Sequence, residues 1–465
     1  VSVVPEGVLP TTEDEYLLDL STAARSLDGI PALRYLITGL PLREVGFIKP
    51  RHASQLLDPC LMAAAEADGR LAPDALTGVA VLTRHAPPDE IVRGAHTALA
   101  ALSATGVQEV VISSHFAQAA AYHGNLTCFL ADTHDSVLRH LSAEKALAVV
   151  PSIPFAPQKE SLDLSSLPGG LLLSAARALE VALVGDHPLL FVGHHGDGVT
   201  MLARRAPSVM PPLSQEESRY VLAAQDARGL LPQQYRWPVR PFRAPHSTCS
   251  LGGMGFSSGA RFGEWTSAHH GVLFLDEVQE LDPVVARALA GAIQKSPDGP
   301  HPLVIAKATY CGCDDLPCRC SPKQLARSAG WWQGALAQSF EVCVPLGGAV
   351  CGRQDSGDDR VVTSAEMRQR IVAARARRRD RLGAPAGATQ ISPDVEQYLH
   401  VAVTEGRLAA DGGDVVRRVA WSIADLEGHA SPSHLDMLEA LLLVSPPHRA
   451  GCQGLRPIPA RQRLP

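Results

Sequence analysis

Between residues 189 and 205 the chain reads LLFVGHHGDGVTMLARR. Four apolar residues, a glycine-rich loop and a threonine ahead of a helical stretch draw the outline of a phosphate-binding loop. Such a loop needs glycines so that backbone N–H groups can turn inward on an anion, and a helix N-terminus behind them for partial positive charge. Gly193, Gly196 and Gly198 meet the first need, and Thr200 stands where a hydroxyl would hold Mg2+. The position before the threonine, where a lysine ammonium would bridge the outer phosphates, is Val199. A charge-assisted hydrogen bond is worth roughly 1.5–3 kcal/mol, so this loss weakens ATP binding by about one or two orders of magnitude. Asp197 adds a negative charge beside the phosphates. By itself, such a run of glycines is more often an ordinary strand-to-helix turn.

A second stretch changes that balance. HHGVLFLDE (269–277) is an apolar strand ending in Asp276 and Glu277. An aspartate there can hold a metal while the adjacent glutamate polarises an attacking water. A solvated strand terminus is the plain alternative. HPLLFVG (187–193), HHGVLFLDEV (269–278) and PLVIAKATY (302–310) are apolar without polar alternation, which is how strands of a parallel sheet covered on both faces read. LLLSAARALEVALVG (171–185) has helical spacing, so strands alternate with helices and the fold class is α/β.

The rest of the chain frames this core. Its 465 residues exceed what one compact core supports. A composition of 46% hydrophobic and 19% charged residues is that of a globular protein, and a net charge of −6 gives no overall cationic field for nucleic acid. No apolar run reaches the roughly 18 residues of a membrane helix, and VSVVPEGVLPTTEDEY lacks the basic and apolar regions of a signal peptide. We therefore expect a cytoplasmic protein with no membrane partner.

Upstream, ALTGVAVLTR and VQEVVISS read as strands and EIVRGAHTALAALSATG as a helix, giving an amino-terminal α/β domain over 1–150. A Pro- and Ser-rich linker (151–168) leads to the core (169–355). Four helical stretches after DSGDD form a helical domain (356–448), followed by a Pro- and Arg-rich tail (449–465).

Three further features carry chemistry. Cys311, Cys313, Cys318 and Cys320 fall within ten residues, as CGCDDLPCRC. Four thiolates can hold Zn2+ tetrahedrally, although C-x-C is a tighter chelate than the usual C-x2-C, and a reduced cysteine-rich loop fits as well. Arg375, Arg377, Arg378, Arg379 and Arg381 crowd one helix, either as a solvated face or, lined up around a ring, as a track for DNA phosphates. His246, His269 and His270 are expected to serve packing and local hydrogen bonds.

RALEVALVGDHPLLFVG, MLARRAPSVMPPLS, RPFRAPHST, GEWTSAHHGVLFLDE, CRCSPKQLAR and RRVAWSIADLEG together resemble the AAA+ proteins of the ComM/YifB type, the magnesium-chelatase-like ATPases. FRAPH ahead of AHHGVLFLDE is the most specific pairing. DGIPALRYLITGLPLREV and ADGRLAPDALTGVAVL resemble that family's amino-terminal domain, related to Lon protease and ribosomal protein S5. The resemblance runs from about Asp19 to Leu443 and implies an AAA+ P-loop NTPase core between an S5/Lon-like domain and a helical lid. It further implies a hexameric ring that hydrolyses ATP with Mg2+ at subunit interfaces and acts on branched DNA, or, in a second branch, inserts Mg2+ into porphyrin.

Residue by residue, Gly193, Gly196, Gly198 and Thr200 match the family's phosphate loop, and Asp276 and Glu277 its metal and water positions. The family's loop lysine is Val199 here, its sensor asparagine falls at Thr309, its interface arginine at Ser339 and its lid arginine near Asp411. The resemblance therefore implies a ring subunit, in a homo- or hetero-oligomer, whose ATP is bound weakly or not at all and hydrolysed poorly. The rival is a working DNA-dependent ATPase that recruits another cation, with Arg204 and Arg205 as candidates.

Overall fold

A computed structural model turns the apolar runs of the sequence into the strands of two main sheets. It describes residues 3–5, 35–37, 79–82 and 95–444, apart from 105–106, 132, 159–161, 167–172, 194–196, 232–235, 258–262, 295–300, 310–318, 347–362, 384–389, 406–407 and 409–411. The chain divides into two compact units: residues 1–157 with 214–238, and 158–213 with 239–465. Segment 214–238 lies inside the stretch 169–355 that a linear reading keeps whole.

In the first unit, β1 (Val3–Pro5) pairs antiparallel with β2 (Tyr35–Ile37). β3 (Val79–Leu82), β4 (Glu109–Ile112) and β5 (Thr127–Leu130) are parallel, and β6 (Ala148–Val149) closes antiparallel on β5. The strands expected in ALTGVAVLTR and VQEVVISS are β3 and β4. Successive side chains of a strand face opposite ways. Val110 and Ile112 therefore meet Leu99 of α1 (Ala95–Ala104) and Phe116 of α2 (Ser114–Ala120), while Val111 meets Val137 of α3 (His134–Leu141) on the other face.

The second unit opens with α4 (Leu173–Gly185), β7 (Leu189–Val192) and α5 (Val199–Val209). The chain then returns to the first unit as α6 (Gln215–Ala227), started by a capping box between Ser214 and Glu217. There the Asp226 carboxylate accepts the His96 N–H at 2.8 Å, and the Thr97 hydroxyl donates to the Ala223 carbonyl at 2.9 Å. Pro154, expected in the linker, accepts the Trp237 indole N–H at 2.9 Å and so belongs to this packing.

Back in the second unit, the chain forms β8 (Phe242–Arg243), α7 (Leu251–Met254), α8 (Glu264–Ser267), β9 (Val272–Leu275), α9 (Pro283–Gln294) and β10 (Leu303–Ala308). After these come α10 (Pro322–Trp332), α11 (Ala335–Gln338) and β11 (Val342–Pro345). The sheet order is β11-β7-β10-β9-β8 and every pairing is parallel. Leu189, Phe191, Leu303 and Ile305 pack on one face with α4 and α5, and Leu190, Val192, Val304 and Ala306 on the other with Val285 and Leu289 of α9. Burying each Leu, Ile, Val or Phe side chain contributes roughly 1.5–3 kcal/mol, which is why these strands show no polar alternation.

Four helices cover the α4 side: α12 (Ser364–Leu382), α13 (Pro393–Thr404), α14 (Gly413–Glu427) and α15 (His434–Val444). Thr363 caps α12 with Glu366. Ser364 is thereby left for the Ser208 hydroxyl at 2.7 Å and the Leu164 N–H at 2.8 Å. Arg375, Arg377, Arg378 and Arg381 of α12 are internal ties, whereas Arg379 is exposed. Arg375 donates to the Leu183 carbonyl and pairs with Asp186, and Arg378 reaches Asp186 and the Gly185 carbonyl, satisfying the open C-terminus of α4. Arg377 donates to the Asp425 carbonyl, and Arg381 pairs with the Asp425 carboxylate at 2.7 Å with its guanidinium 4.4 Å from the Trp421 ring centroid.

Burial holds the His96 imidazole at a pKa of about 4, and burial together with the neighbouring His96 and Arg219 holds His123 at about 3. The unfolded chain takes up these protons near pH 6.5, whereas the folded chain does so only near pH 4 and 3. The unfolded state therefore binds more protons between those limits, and the first unit loses stability as pH falls through that window. Thermal unfolding of this unit should shift to lower temperature between pH 7 and pH 5. His123→Gln, which cannot titrate, should flatten that slope, and an unchanged slope would refute the assignment.

Candidate functional site

The carboxyl ends of β7, β10 and β9 lie side by side and carry the loop, Lys307 with Thr309, and Asp276 with Glu277. This is where parallel α/β sheets place ligands. Sequence neighbours on separate strands are thus brought to one edge. Thr200, in the first turn of α5, donates its hydroxyl to the Asp276 carboxylate at 3.4 Å. Asp276 also accepts the Glu277 amide at 3.1 Å. Glu277 is left-handed, with φ 49° and ψ 48°, a conformation that costs a residue with a side chain roughly 1–3 kcal/mol and clusters at functional sites. A hydroxyl and a carboxylate facing each other are hard oxygen donors suited to Mg2+.

Gly193, Asp197 and Gly198 lie within the described residues, and Gly196 lies outside them. Gly198 is the N-cap of α5 at φ 81°, a turn that favours glycine although open space surrounds its missing Cβ. Val199 is the first helical residue and only 2% exposed, packed into the core with Phe191 and Leu202. Its isopropyl group belongs to the apolar interior.

A buried cation from another element lies beside the loop. Lys307 lies on β10 in the alternation that puts Leu303 and Ile305 on the α5 face, and its Nζ is 3.2 Å from Asp197 Oδ1. The two side chains are 7% and 8% exposed. Asp197 Oδ1 also accepts the Val199 N–H at 3.2 Å, so the carboxylate takes the anion position at the start of α5. Asp197 Oδ2 has no hydrogen-bond partner among the described residues and sits over Gly193, where an added Cβ would come within 2.4 Å of it. Sequence reading missed Lys307, and the signal was present: one lysine in an otherwise apolar six-residue strand.

Thr309 accepts the Gln279 side-chain amide at 2.9 Å. Ser339 is buried and donates its hydroxyl to the Leu336 carbonyl at 2.7 Å, closing α11. Arg205 is engaged away from the loop, with the Asp163 carbonyl at 3.0 Å and the Ser166 hydroxyl at 2.8 Å. Asp411, Cys311, Cys313 and Cys318 fall outside the described residues, while Cys320 is half-buried. Among the described residues no group of His, Cys, Asp or Glu forms a metal-holding cluster.

The FRAPH segment and the stretch before β9 meet directly. Arg243 makes a two-pronged pair with Glu264 at 2.6 and 2.8 Å, and Phe242 stacks on Phe274. His246 bonds the Thr248 hydroxyl at 2.9 Å and His269 lies edge-on to Trp265, local roles as expected. Burial, with His270 and His301 nearby, lowers the His269 pKa to about 3.

Residues 163–296 match the family model described as magnesium chelatase, subunit ChlI, and residues 362–443 match the one described as its C-terminal part. The protein YifB of Escherichia coli is 30% identical over 335 residues, 64% of this chain and 64% of its own length. The competence protein ComM of Haemophilus influenzae is 26% identical over 392 residues, covering 75% of this chain and 74% of ComM. In these segments the chain is similar to magnesium chelatase subunit ChlI and to the proteins ComM and YifB. An uncharacterized protein of Mycobacterium tuberculosis is 32% identical over 295 residues, and this chain spans 58% of its length. Of the site residues, Thr200, Asp276 and Glu277 fall within the first matched segment, whereas Lys307, Thr309 and Ser339 fall between the two.

A buried pair that loses one partner leaves an uncompensated charge, at a cost of about 3–5 kcal/mol. Lys307→Met should therefore lower the urea midpoint strongly, and adding Asp197→Asn should recover most of the loss. A single variant as stable as the parent would show that the two charges do not depend on each other. Gly193→Ala should also destabilise, because its methyl displaces the Asp197 carboxylate.

Proposed function

We propose that this chain is an AAA+ protein of the ComM/YifB type with an impaired ATP site, acting as a non-catalytic subunit or regulator of a ring that processes DNA. The observation that carries this reading is the state of the phosphate loop. Its helix start already holds a carboxylate, Asp197, and its lysine position, Val199, is part of the apolar core. Supporting it, the position that would reach a neighbouring subunit is Ser339, turned inward against α11. Thr200 and Asp276 retain a geometry that can hold Mg2+, so the metal half of the site outlives the phosphate half. When bound, Mg2+ would neutralise phosphate charge there. The link to DNA uptake or recombination rests on the likeness to a protein named for competence.

In this reading the sheet and helices of the second unit are the AAA+ core and its lid, and the first unit is the S5/Lon-like domain. The setting is the cytoplasm, in keeping with the absence, among the described residues, of any helix long and apolar enough to cross a membrane. Weak or absent binding of ATP with Mg2+ is part of the proposal, as is a homo- or hetero-oligomeric ring around DNA. The zinc reading of Cys311, Cys313, Cys318 and Cys320 belongs with it and is checked by metal analysis of the purified chain.

ATP turnover should stay at background with and without forked DNA. Glu277→Gln should change it by less than about twofold, against the roughly thousandfold or greater effects typical of residues that act on the transferring phosphate. DNA-stimulated turnover abolished by that substitution would overturn the reading in favour of an active ATPase.

A further inference from the structure

A lysine in the middle strand of a sheet covered on both faces needs an explanation. β10 runs between β7 and β9, with Lys307 level with Phe191 of β7 and one residue past Ala306, which is level with Leu275. Lys307 therefore stands between the strand end that leads into the loop and the strand end that carries Asp276. Its side chain rises on the α5 face and ends at the loop carboxylate. Few cheaper residues for that position exist than an aliphatic one, since a buried ammonium loses several kcal/mol of hydration before pairing returns any of it. A pair kept only to neutralise Asp197 would be redundant, because an uncharged residue at 197 would need no partner.

We propose that the phosphate loop is self-occupied: Lys307 is the cation of the site, supplied from β10 instead of the loop, and the Asp197 carboxylate is its resident anion. The phosphates of a nucleoside triphosphate would enter only by displacing Asp197 from Lys307 and from the Val199 N–H. This deepens the impaired-site reading above and rests on it. The groups left at the site after displacement are the Lys307 ammonium, the first amides of α5, the Thr200 hydroxyl and the Asp276 carboxylate, which is the chemistry of a polyphosphate with its magnesium. Asp197 is held through Oδ1 alone, by Lys307 and the Val199 N–H, while Oδ2 has no hydrogen-bond partner among the described residues and gains hydration when the carboxylate swings out.

The test titrates Mg·ATP by calorimetry into the full chain, comparing the parent with Asp197→Asn, Asp197→Asn/Lys307→Gln and Asp197→Asn/Lys307→Arg. Thermal unfolding of each variant establishes that it is folded, and the neutral Asn/Gln pair avoids leaving a lone buried charge. Asp197→Asn should bind at least ~10-fold tighter than the parent, the size of one charge-assisted contact regained. Lys307→Gln in that background should abolish the gain, and Lys307→Arg should keep part of it. A gain that survives Lys307→Gln overturns Lys307 as the cation. A weakly binding parent that Asp197→Asn does not improve overturns the inference and leaves the impaired-site reading standing. A parent that hydrolyses ATP and still gains affinity in Asp197→Asn overturns the impaired-site reading alone.

Discussion

A strand buried on both faces cannot hold an unpaired charge, and that constraint organises the second unit. Every residue of β7, β9 and β10 is buried, so each polar group there must find its partner among neighbouring elements. Lys307 finds Asp197 at the end of the sheet where three strands terminate together. The pair fixes the loop side chain over Gly193, and the glycine in turn leaves the room that the carboxylate uses. Loop, helix start and central strand are thereby tied into one arrangement by two charges.

The same rule explains how the helical segment stays seated. Polar ends that would otherwise face the interior are matched across elements: Arg375 and Arg378 close the C-terminus of α4, and His187 links Glu341 at 2.6 Å to the Ser422 hydroxyl at 2.8 Å. Burial raises the affinity of the Glu341 carboxyl for its proton, but His187 and Arg418 outweigh it and hold the carboxyl below its ordinary value. Although Ser422, His187 and Glu341 form the outline of a hydrolytic triad, the serine and histidine are buried, and the Ser422 hydroxyl also donates to the Arg418 carbonyl of its own helix, α14. The relay fastens helix to sheet.

Much of this was legible in the chain. The unbroken apolar runs marked parallel strands because burial on both faces erases polar alternation, and Thr200 and Asp276 met as the order of motifs implied. What stayed hidden depended on contacts distant in sequence. The α12 arginines read as solvated or DNA-facing because Asp186 and Asp425, their partners, lie far along the chain. Lys307 was passed over because its counter-charge is on another strand's loop. The burial of Val199 in the core likewise depends on α5 packing against the sheet.

The excursion of 214–238 has its own consequence. Because α6 leaves the second unit after α5 and brings Asp226 and Thr97's carbonyl partner to α1, the boundary between the units is crossed by the chain more than once. Neither unit can be obtained by ending the polypeptide at one point: a fragment stopping at residue 157 lacks the helix against which α1 is buried. During synthesis the first unit has to wait, its last helix emerging only after β7 of the second. The amino-terminal part is thus early in sequence but late in completion.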